Sequence, residues 1–235
     1  MIADRIAAVR ERIARAAARA SRETDAVTLV AVSKTQGPDA VREAFAAGIR
    51  CFGENRVQEA EAKASALADL RVEGLLWHLV GHLQVNKAKK AAPLFDLIHS
   101  VDSVELGRKL ASLLPPGGRA LRALVQVDLA GEETKFGVPE ENLLDVLESL
   151  RGLAGLRLEG LMLIPPLFEE PEQARPFFRR LRVLRDEALQ KGLLATGSLS
   201  MGMSHDFEIA IEEGATLVRV GTAIFGERKP PPPAL

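Results

Sequence analysis

The stretch TLVAVSK, residues 28–34, is the most apolar short run near the N-terminus of the 235-residue chain. A short apolar run of this kind predicts a buried strand, and this one ends in Lys34. Residues 38–47 predict a helix, because Pro38 suits a first helical turn and Gly48 suits a helix C-terminus. The two segments form a βα unit, and the rest of the chain repeats it.

Strand-like and helix-like segments alternate regularly along the sequence. Eight strands are predicted, at residues 28–33, 49–53, 75–80, 97–101, 121–128, 158–163, 198–201 and 216–221. Helices are predicted in the intervals, for example at residues 38–47, 104–114, 140–150, 171–191 and 206–213. Eight such units predict an α/β fold, a single (β/α)8 TIM-type barrel, with a doubly wound open sheet as the alternative. No GxGxxG motif follows the first strand, which disfavours a dinucleotide-binding sheet.

An extra helix precedes the first strand. Ile2, Ile6, Val9 and Ile13 recur at spacings of four, three and four, which places them on one face of an amphipathic helix. We therefore expect one domain over residues 1–235. Its parts are an N-terminal helix over 1–22, the barrel over 28–226 and a flexible proline-rich tail over 229–235.

The composition indicates a globular protein with small-molecule partners. Hydrophobic residues make up 47% of the chain, charged residues 27%, and the formal net charge is -1. The absence of a broad positive field disfavours nucleic-acid binding, and no apolar stretch approaches the roughly 20 residues of a membrane span. Cys51 is the sole cysteine and the N-terminus lacks a signal-peptide hydrophobic region, so we expect a cytoplasmic protein. We also expect a monomer.

Lys34 is the first candidate functional residue, because a barrel carries its binding groups at the carboxyl ends of its strands. A lysine at the mouth of a buried strand is desolvated, so it loses its proton more easily and becomes a nucleophile for aldehydes. The alternative is a lysine that ends a strand by reaching for water. Residues 53–56, 81–84 and 131–135 follow other strands and converge on the same rim. Lys135 is a competing amine, although its loop position weakens desolvation.

Two loops after the seventh and eighth strands predict an anion site. They are SMGMS, residues 200–204, and RVGT, residues 219–222. Small residues let backbone N–H groups approach an anion, and phosphate sites of barrels recur at these loops. Hydroxyl donors are added by Ser200, Ser204 and Thr222. For either loop alone a simple turn glycine is the alternative, but two such loops in the expected places favour an anion site.

Arg219 lies in an apolar strand between Val218 and Val220. A guanidinium that points into a barrel needs an acceptor. Two kinds of acceptor remain open, a carboxylate such as Asp206 or Glu208 and a ligand atom. If the ligand atom were a pyridine nitrogen, the permanently charged arginine would keep it unprotonated and weaken the ring as an electron sink.

His78 and His82 are too far apart on a strand, at about 13 Å, to share one metal ion. We expect packing or hydrogen-bonding roles for them, with His82 near the ligand. Lys87, Lys89 and Lys90 form a short basic cluster, which is expected to be a solvated helix face.

Six ordered segments form a specific pattern. They are VAVSKT (30–35), FGENRVQE (52–59), WHLVGHLQVNK (77–87), GLM (160–162), LSMGMS (199–204) and VRVGTAIFG (218–226). Together they resemble the pyridoxal phosphate homeostasis protein family over residues 28–226. One motif alone would not be specific, but this number of ordered matches is.

The resemblance implies a barrel similar to the N-terminal domain of alanine racemase, with pyridoxal 5'-phosphate (PLP) held as a Schiff base by Lys34. It also implies that Arg219 faces the pyridine nitrogen and that Asn55 lies beside the ring. The residues it implies around the phosphate are Ser200, Met201, Gly221 and Thr222. The family is described as binding the cofactor and maintaining its supply, without an established reaction of its own.

The residues also bear on catalysis. A PLP racemase needs bases on both faces of the cofactor, and the related racemase uses a lysine and a tyrosine. This sequence contains no tyrosine. The leading prediction is therefore a protein that stores, buffers or delivers PLP, has PLP-dependent apoenzymes as partners and is not a conventional enzyme.

Two other functions stay open. An amino-acid racemase or lyase would use His82 or Lys135 as its second base. An interaction protein would sense the cofactor while partners bind its surface, for example at the basic cluster.

Overall fold

The computed structural model describes residues 1–115, 117–131 and 136–227. The tail predicted over residues 229–235 lies outside the described residues, and so does Lys135.

The strands in these ranges form a closed parallel barrel. They are β1 Thr28–Val32, β2 Cys51–Glu54, β3 Leu76–Leu79, β4 Leu97–Val101, β5 Leu121–Asp128, β6 Val138–Pro139, β7 Leu156–Met162, β8 Ser198–Met203 and β9 Leu217–Val220. Strands β1, β2, β3, β4, β5, β7, β8 and β9 pair in this order, and β9 pairs with β1. The predicted (β/α)8 TIM-type barrel is confirmed, and the open sheet is wrong. The short β6 pairs with the end of β5.

The eight barrel strands lie where the sequence predicts them, with ends that differ by no more than two residues. The helices in the described ranges are α1 Ile2–Arg19, α2 Pro38–Ala46, α3 Val57–Ala66, α4 Ala68–Val72, α5 Ala88–Leu94, α6 Val104–Ser112, α7 Leu143–Leu150, α8 Arg175–Gln190, α9 Phe207–Glu212 and α10 Thr222–Phe225. None of them is both long and apolar enough to cross a lipid bilayer.

Two predicted helices begin later than expected, each behind a short 3-10 turn. These turns are Glu140–Asn142 before α7 and Pro171–Ala174 before α8. Pro176 lies in the first turn of α8 and has no N–H to donate to the Glu172 carbonyl. A regular α-helix therefore cannot run unbroken from Pro171.

The two faces of the barrel wall are packed differently. Inward side chains form a separate apolar cluster of Val30, Leu97, Leu124, Met162 and Leu217. Outward side chains such as Phe52 and Trp77 belong to the large core under the helices. The strand registers also turn polar side chains inward, namely His78, His99, Ser200 and Arg219, all of them buried. The interior of the barrel thus carries a polar level as well as an apolar one.

The N-terminal helix α1 packs on the outside of the barrel against α2, α9 and α10. Ile6, Val9 and Ile13 are buried there, as their spacing predicts. Burying a side chain of this size stabilises the folded protein by about 1.5–3 kcal/mol relative to leaving it exposed. An ion pair of Arg12 with Glu208 at 2.7 Å adds a polar tie between α1 and α9.

Candidate functional site

Lys34 follows β1 at the carboxyl end of the barrel and is half-buried. The N–H of Ser33 still donates to the Gly53 carbonyl of β2 at 3.0 Å, so strand pairing reaches the residue before Lys34. Thr35 has a φ of +67°, and its N–H donates to Glu59 Oε1 at 2.5 Å. The chain therefore turns sharply just after Lys34, and a side chain of α3 holds the turn.

A buried ion cluster of Ser33, Glu54, Glu59 and Lys63 lies beneath this turn. Lys63 Nζ donates to the Ser33 carbonyl at 2.6 Å and to one oxygen of each glutamate at 2.7 Å. Ser33 Oγ donates to the same Glu54 oxygen at 2.6 Å. Burial raises the pKa of Glu54, and the Lys63 ammonium opposes this rise. The cluster joins the ends of β1 and β2 to α3 and so fixes the backbone that carries Lys34.

Sequence reasoning missed this cluster. Its one visible signal is the spacing of Glu59 and Lys63, which are four residues apart on a helix and can pair. Nothing in the sequence indicates that Lys63 also reaches Glu54 on a strand.

Arg219 lies on β9 inside the barrel and is 4% exposed. Its Nη1 donates to Ser200 Oγ at 2.7 Å, and its Nη2 donates to the Leu163 carbonyl at 2.9 Å. Burial lowers the pKa of Arg219 to about 10, so the guanidinium stays charged near neutral pH.

Neither of the carboxylates considered as an acceptor for Arg219, Asp206 and Glu208, accepts a hydrogen bond from it. Glu208 pairs with Arg12 instead, and Asp206 Oδ1 accepts from the Met203 N–H at 2.6 Å. In the described part of the chain no carboxylate forms an ion pair with Arg219, and Asp206 attracts it only at longer range. A buried cation held by neutral acceptors is costly unless a bound group completes its contacts.

The two predicted anion loops meet at the ends of β8 and β9. Ser204 Oγ accepts from the N–H groups of Gly221 and Ala223, each at 3.3 Å, which joins one loop to the other. Gly202 has a φ of +89°, and a Cβ there would lie 2.6 Å from a side chain of α9. Thr222 is exposed at the start of α10. A residue larger than glycine is therefore excluded at position 202, in agreement with the small residues expected in this loop.

Ser200 and Met201 are placed differently from the rest of the predicted phosphate set. The Ser200 hydroxyl lies inside the barrel, where it contacts Arg219 and His99. The Met201 side chain is fully buried in the core under the helices. Neither side chain lies with the Ser204 and Gly221 groups.

Neighbouring strands bring the remaining predicted residues to one edge of the barrel. β1 pairs with β2 on one side and with β9 on the other, so Lys34, Asn55 and Gly221 follow three adjacent strands. A Cβ on Gly221 would lie 3.3 Å from the Val32 carbonyl oxygen, so the ends of β1 and β9 are in close contact. An amine, the two predicted anion loops and a buried cation thus share one region, which suits a small anionic aldehyde.

His82 lies at the rim beside this region. With Asn55 it lines a cleft of about 440 Å³ that also includes Arg56 and Lys87. Its Nδ1 is 2.9 Å from Asp102 Oδ2, and its ring stacks on Phe136 with centroids 3.5 Å apart. The chain therefore carries a histidine–aspartate pair near the candidate site.

His78 points into the barrel, where His99 is its hydrogen-bond partner. A hydrogen-bonding role for His78 is thus confirmed, whereas His99 was missed. The only sequence signal for His99 is its inward position on β4. In the ranges that the structure describes, no group of three His, Cys, Asp or Glu residues could hold a metal ion.

Residues 5–229 match the family described as alanine racemase, N-terminal domain. The fold is therefore that of an alanine racemase-type barrel. Pyridoxal phosphate homeostasis proteins are similar along nearly their whole length. The protein of Aquifex aeolicus is 46% identical over 226 residues, 96% of this chain and 98% of that protein. The protein of Escherichia coli is 40% identical over 232 residues, 97% of each chain. This chain belongs to the pyridoxal phosphate homeostasis protein family.

A solved structure supports the same assignment. PipY of Synechococcus elongatus, whose structure has PLP bound, is 42% identical, with a TM-score of 0.85. The match covers 96% of this chain and 100% of that one. The family that the sequence motifs indicate is confirmed.

Proposed function

We propose that this protein binds PLP as a Schiff base on Lys34 and takes part in PLP homeostasis by storing, buffering or delivering the cofactor. The observation that carries the proposal is the close placement of Lys34, the joined anion loops and Arg219 on β1, β8 and β9. The PLP-bound structure of PipY and the homeostasis proteins of Aquifex aeolicus and Escherichia coli support it.

The residues present fit the chemical needs of PLP. When bound, the cofactor supplies an aldehyde and an electron-accepting ring. Lys34 would bond to the aldehyde, and Asn55 would lie beside the ring. Arg219, which has no counter-anion among the described residues, would donate to the pyridine nitrogen and keep it unprotonated.

The phosphate would be bound mainly by the joined loops. Gly221 and Thr222 would contribute backbone N–H groups and a hydroxyl, with Ser204 beside them. Ser200 and Met201 stay predictions for this role. Since their side chains are engaged elsewhere, their part would fall to the backbone.

Two properties of the chain favour cofactor handling over catalysis. The sequence has no tyrosine to serve as the second base of a racemase. A ring nitrogen that Arg219 kept unprotonated would also make PLP a weaker electron sink, which disfavours reactions that need a strong one, such as transamination. Lys34 would then hold the cofactor without completing a catalytic cycle, as a store or a delivery protein requires.

A visible spectrum tests the proposal directly. The purified protein mixed with PLP is expected to absorb at about 420 nm, and borohydride should trap the cofactor on one lysine. Lys34→Ala should lose both the absorbance and the trapped label, because it removes the amine that the proposal assigns to the aldehyde. Peptide mapping of the reduced protein identifies the labelled residue.

Lys87→Ala is the matched control, because Lys87 is also half-buried and lies in the neighbouring cleft. This variant should keep the parent spectrum and the label on Lys34. A spectrum that survives in Lys34→Ala and disappears in Lys87→Ala would show that the wrong lysine has been chosen.

The pair of His82 and Asp102 favours a second candidate function, an amino-acid racemase or lyase. Asp102 orients the His82 ring through Nδ1, which leaves Nε2 as a proton acceptor. Such an enzyme would remove α-deuterium from some amino acid in the presence of PLP.

An exchange assay across a panel of deuterated amino acids separates the two functions. Under the homeostasis proposal the rate should equal that of free PLP. Under the catalytic alternative it should exceed that rate and fall by about 10²-fold or more in His82→Ala. His205→Ala is the control, since His205 bonds to the Glu169 carbonyl away from the cleft.

A further inference from the structure

A chain of hydrogen bonds crosses the interior of the barrel and ends on Arg219. Arg219 Nη1 lies 2.7 Å from Ser200 Oγ, which lies 2.7 Å from His99 Nδ1. His99 Nε2 in turn lies 3.1 Å from His78 Nδ1. All four side chains are buried, and these hydrogen bonds connect four different strands. Neither histidine has a role in the function proposed above.

The chain has one consistent direction. A guanidinium can only donate, so Ser200 Oγ accepts from Arg219 and keeps its own hydrogen for His99 Nδ1. The proton of His99 is then on Nε2, which donates to His78 Nδ1. His78 carries its proton on Nε2, an atom without a partner among the described residues. Arg219 thus determines the tautomers of both histidines.

Both histidines are neutral near neutral pH. Burial and the charge of Arg122 lower the pKa of His78 to about 4. Burial lowers the pKa of His99 well below its usual value, with further repulsion from His78, Arg219 and Arg122. His99 is therefore an acceptor toward Ser200 and brings no second positive charge close to Arg219.

This arrangement matters because the acceptors of Arg219 among the described residues, the Ser200 hydroxyl and the Leu163 carbonyl, are both neutral. A serine hydroxyl can rotate and could turn its hydrogen toward the guanidinium. His99 takes that hydrogen, so the oxygen lone pairs stay directed at Arg219 and the bond to the cation is strengthened.

We propose that His99 is a positioning residue for Arg219, and that it acts through the Ser200 hydroxyl to hold the guanidinium toward the ring nitrogen of PLP. The inference rests on the proposed binding of PLP.

His99→Leu and His99→Asn form a matched pair of variants. The two side chains have the same branched shape, but only asparagine has an oxygen that can accept from Ser200. His99→Leu should weaken PLP binding about tenfold in a spectral titration. His99→Leu should also lower the midpoint pH at which the visible absorbance band is lost. A ring nitrogen that Arg219 no longer keeps unprotonated becomes positive and disfavours a proton on the Schiff base. His99→Asn should restore the affinity and the pH midpoint of the parent protein.

Parent-like affinity and pH midpoint in His99→Leu would overturn the role of His99, and so would equal losses in both variants. If the leucine variant does not fold, His99→Val takes its place, because valine is smaller and also lacks an acceptor for Ser200, and it should show the same shift. Borohydride mapping separates this inference from the proposed function. A parent protein without a label on Lys34 refutes PLP binding, whereas labelled variants with unchanged spectra refute only the role of His99.

Discussion

Lys63 connects the groups that lie beneath the turn carrying Lys34. It is buried, and its one ammonium group contacts the end of β1, the end of β2 and a glutamate of its own helix. Glu54, its partner on β2, is fully buried, and the second carboxylate oxygen has no partner among the described residues. Removing the ammonium would leave a buried carboxylate without its cation.

We expect Lys63→Met to lower the free energy of unfolding by about 3 kcal/mol near neutral pH, since one partner of a buried ion pair is lost. The cost should shrink as the pH falls. The folded-state pKa of Glu54 is already raised by burial, so its contribution to stability is present below the unfolded pKa and is lost as the pH rises through the folded pKa. Without Lys63 the pKa of Glu54 rises further. Protonation of Glu54 in acid then removes the unpaired buried charge, so the variant loses less stability there.

Urea unfolding at about pH 7 and about pH 4.5 measures this difference. Lys89→Met is the control. Lys89 is exposed, so its replacement should change the free energy of unfolding little at either pH. An equal cost of Lys63→Met at both pH values would contradict a buried, titrating Glu54.

At the level of elements, the connection from β8 to α9 shapes the anion loops. The register between β8 and β9 shifts between Ser200 and Met203, and Gly202 lies within this irregularity. A side chain at Gly202 would contact the first turn of α9 as well as requiring a positive φ. The packing of α9 against β8 therefore leaves room only for glycine here.

Gly202→Ala should lower the free energy of unfolding by about 2–5 kcal/mol, which combines backbone strain with overpacking. Gly192→Ala is a matched control. Gly192 also has a positive φ, of +66°, but a Cβ there would meet nothing within 4 Å. Gly192→Ala should lower the free energy of unfolding only by the backbone strain, about 1–2 kcal/mol. Denaturant unfolding of the two variants measures the difference, and equal costs would argue against the close contact with α9.

For the whole molecule, closure of the barrel is what assembles the site. β1 comes from the start of the chain and β9 from its end, and they pair with Val30 opposite Arg219. This pairing places Lys34 and the Gly221 turn side by side at the carboxyl end of the barrel, and it directs the Arg219 side chain into the barrel interior. The outer helices, including α1, then cover the apolar outward face.

A monomer, a cytoplasmic location and apoenzyme partners stay predictions.

Much of the fold could be predicted because each βα unit is encoded locally. The apolar run ending at Lys34, followed by Pro38 and Gly48, is sufficient to place one strand and one helix. The polarity of the strands alone then predicts that Lys34, Asn55 and Gly221 lie at one end of the barrel. The 3-10 turns before α7 and α8 were missed, because helical periodicity does not distinguish such turns from regular helix.

By itself, the sequence determined the family, the order of strands and helices, and the end of the barrel at which the candidate site residues lie. These depend on patterns within short segments. Only the tertiary structure decided which buried polar groups meet. Ser200 and His99 are 101 residues apart, and their contact depends on the register and closure of the barrel. Buried polar groups must find partners, but the choice of partner is made by strands that adjoin in space. That is why Arg219 could be predicted as a buried cation, while its links to Ser200, His99 and His78 could not.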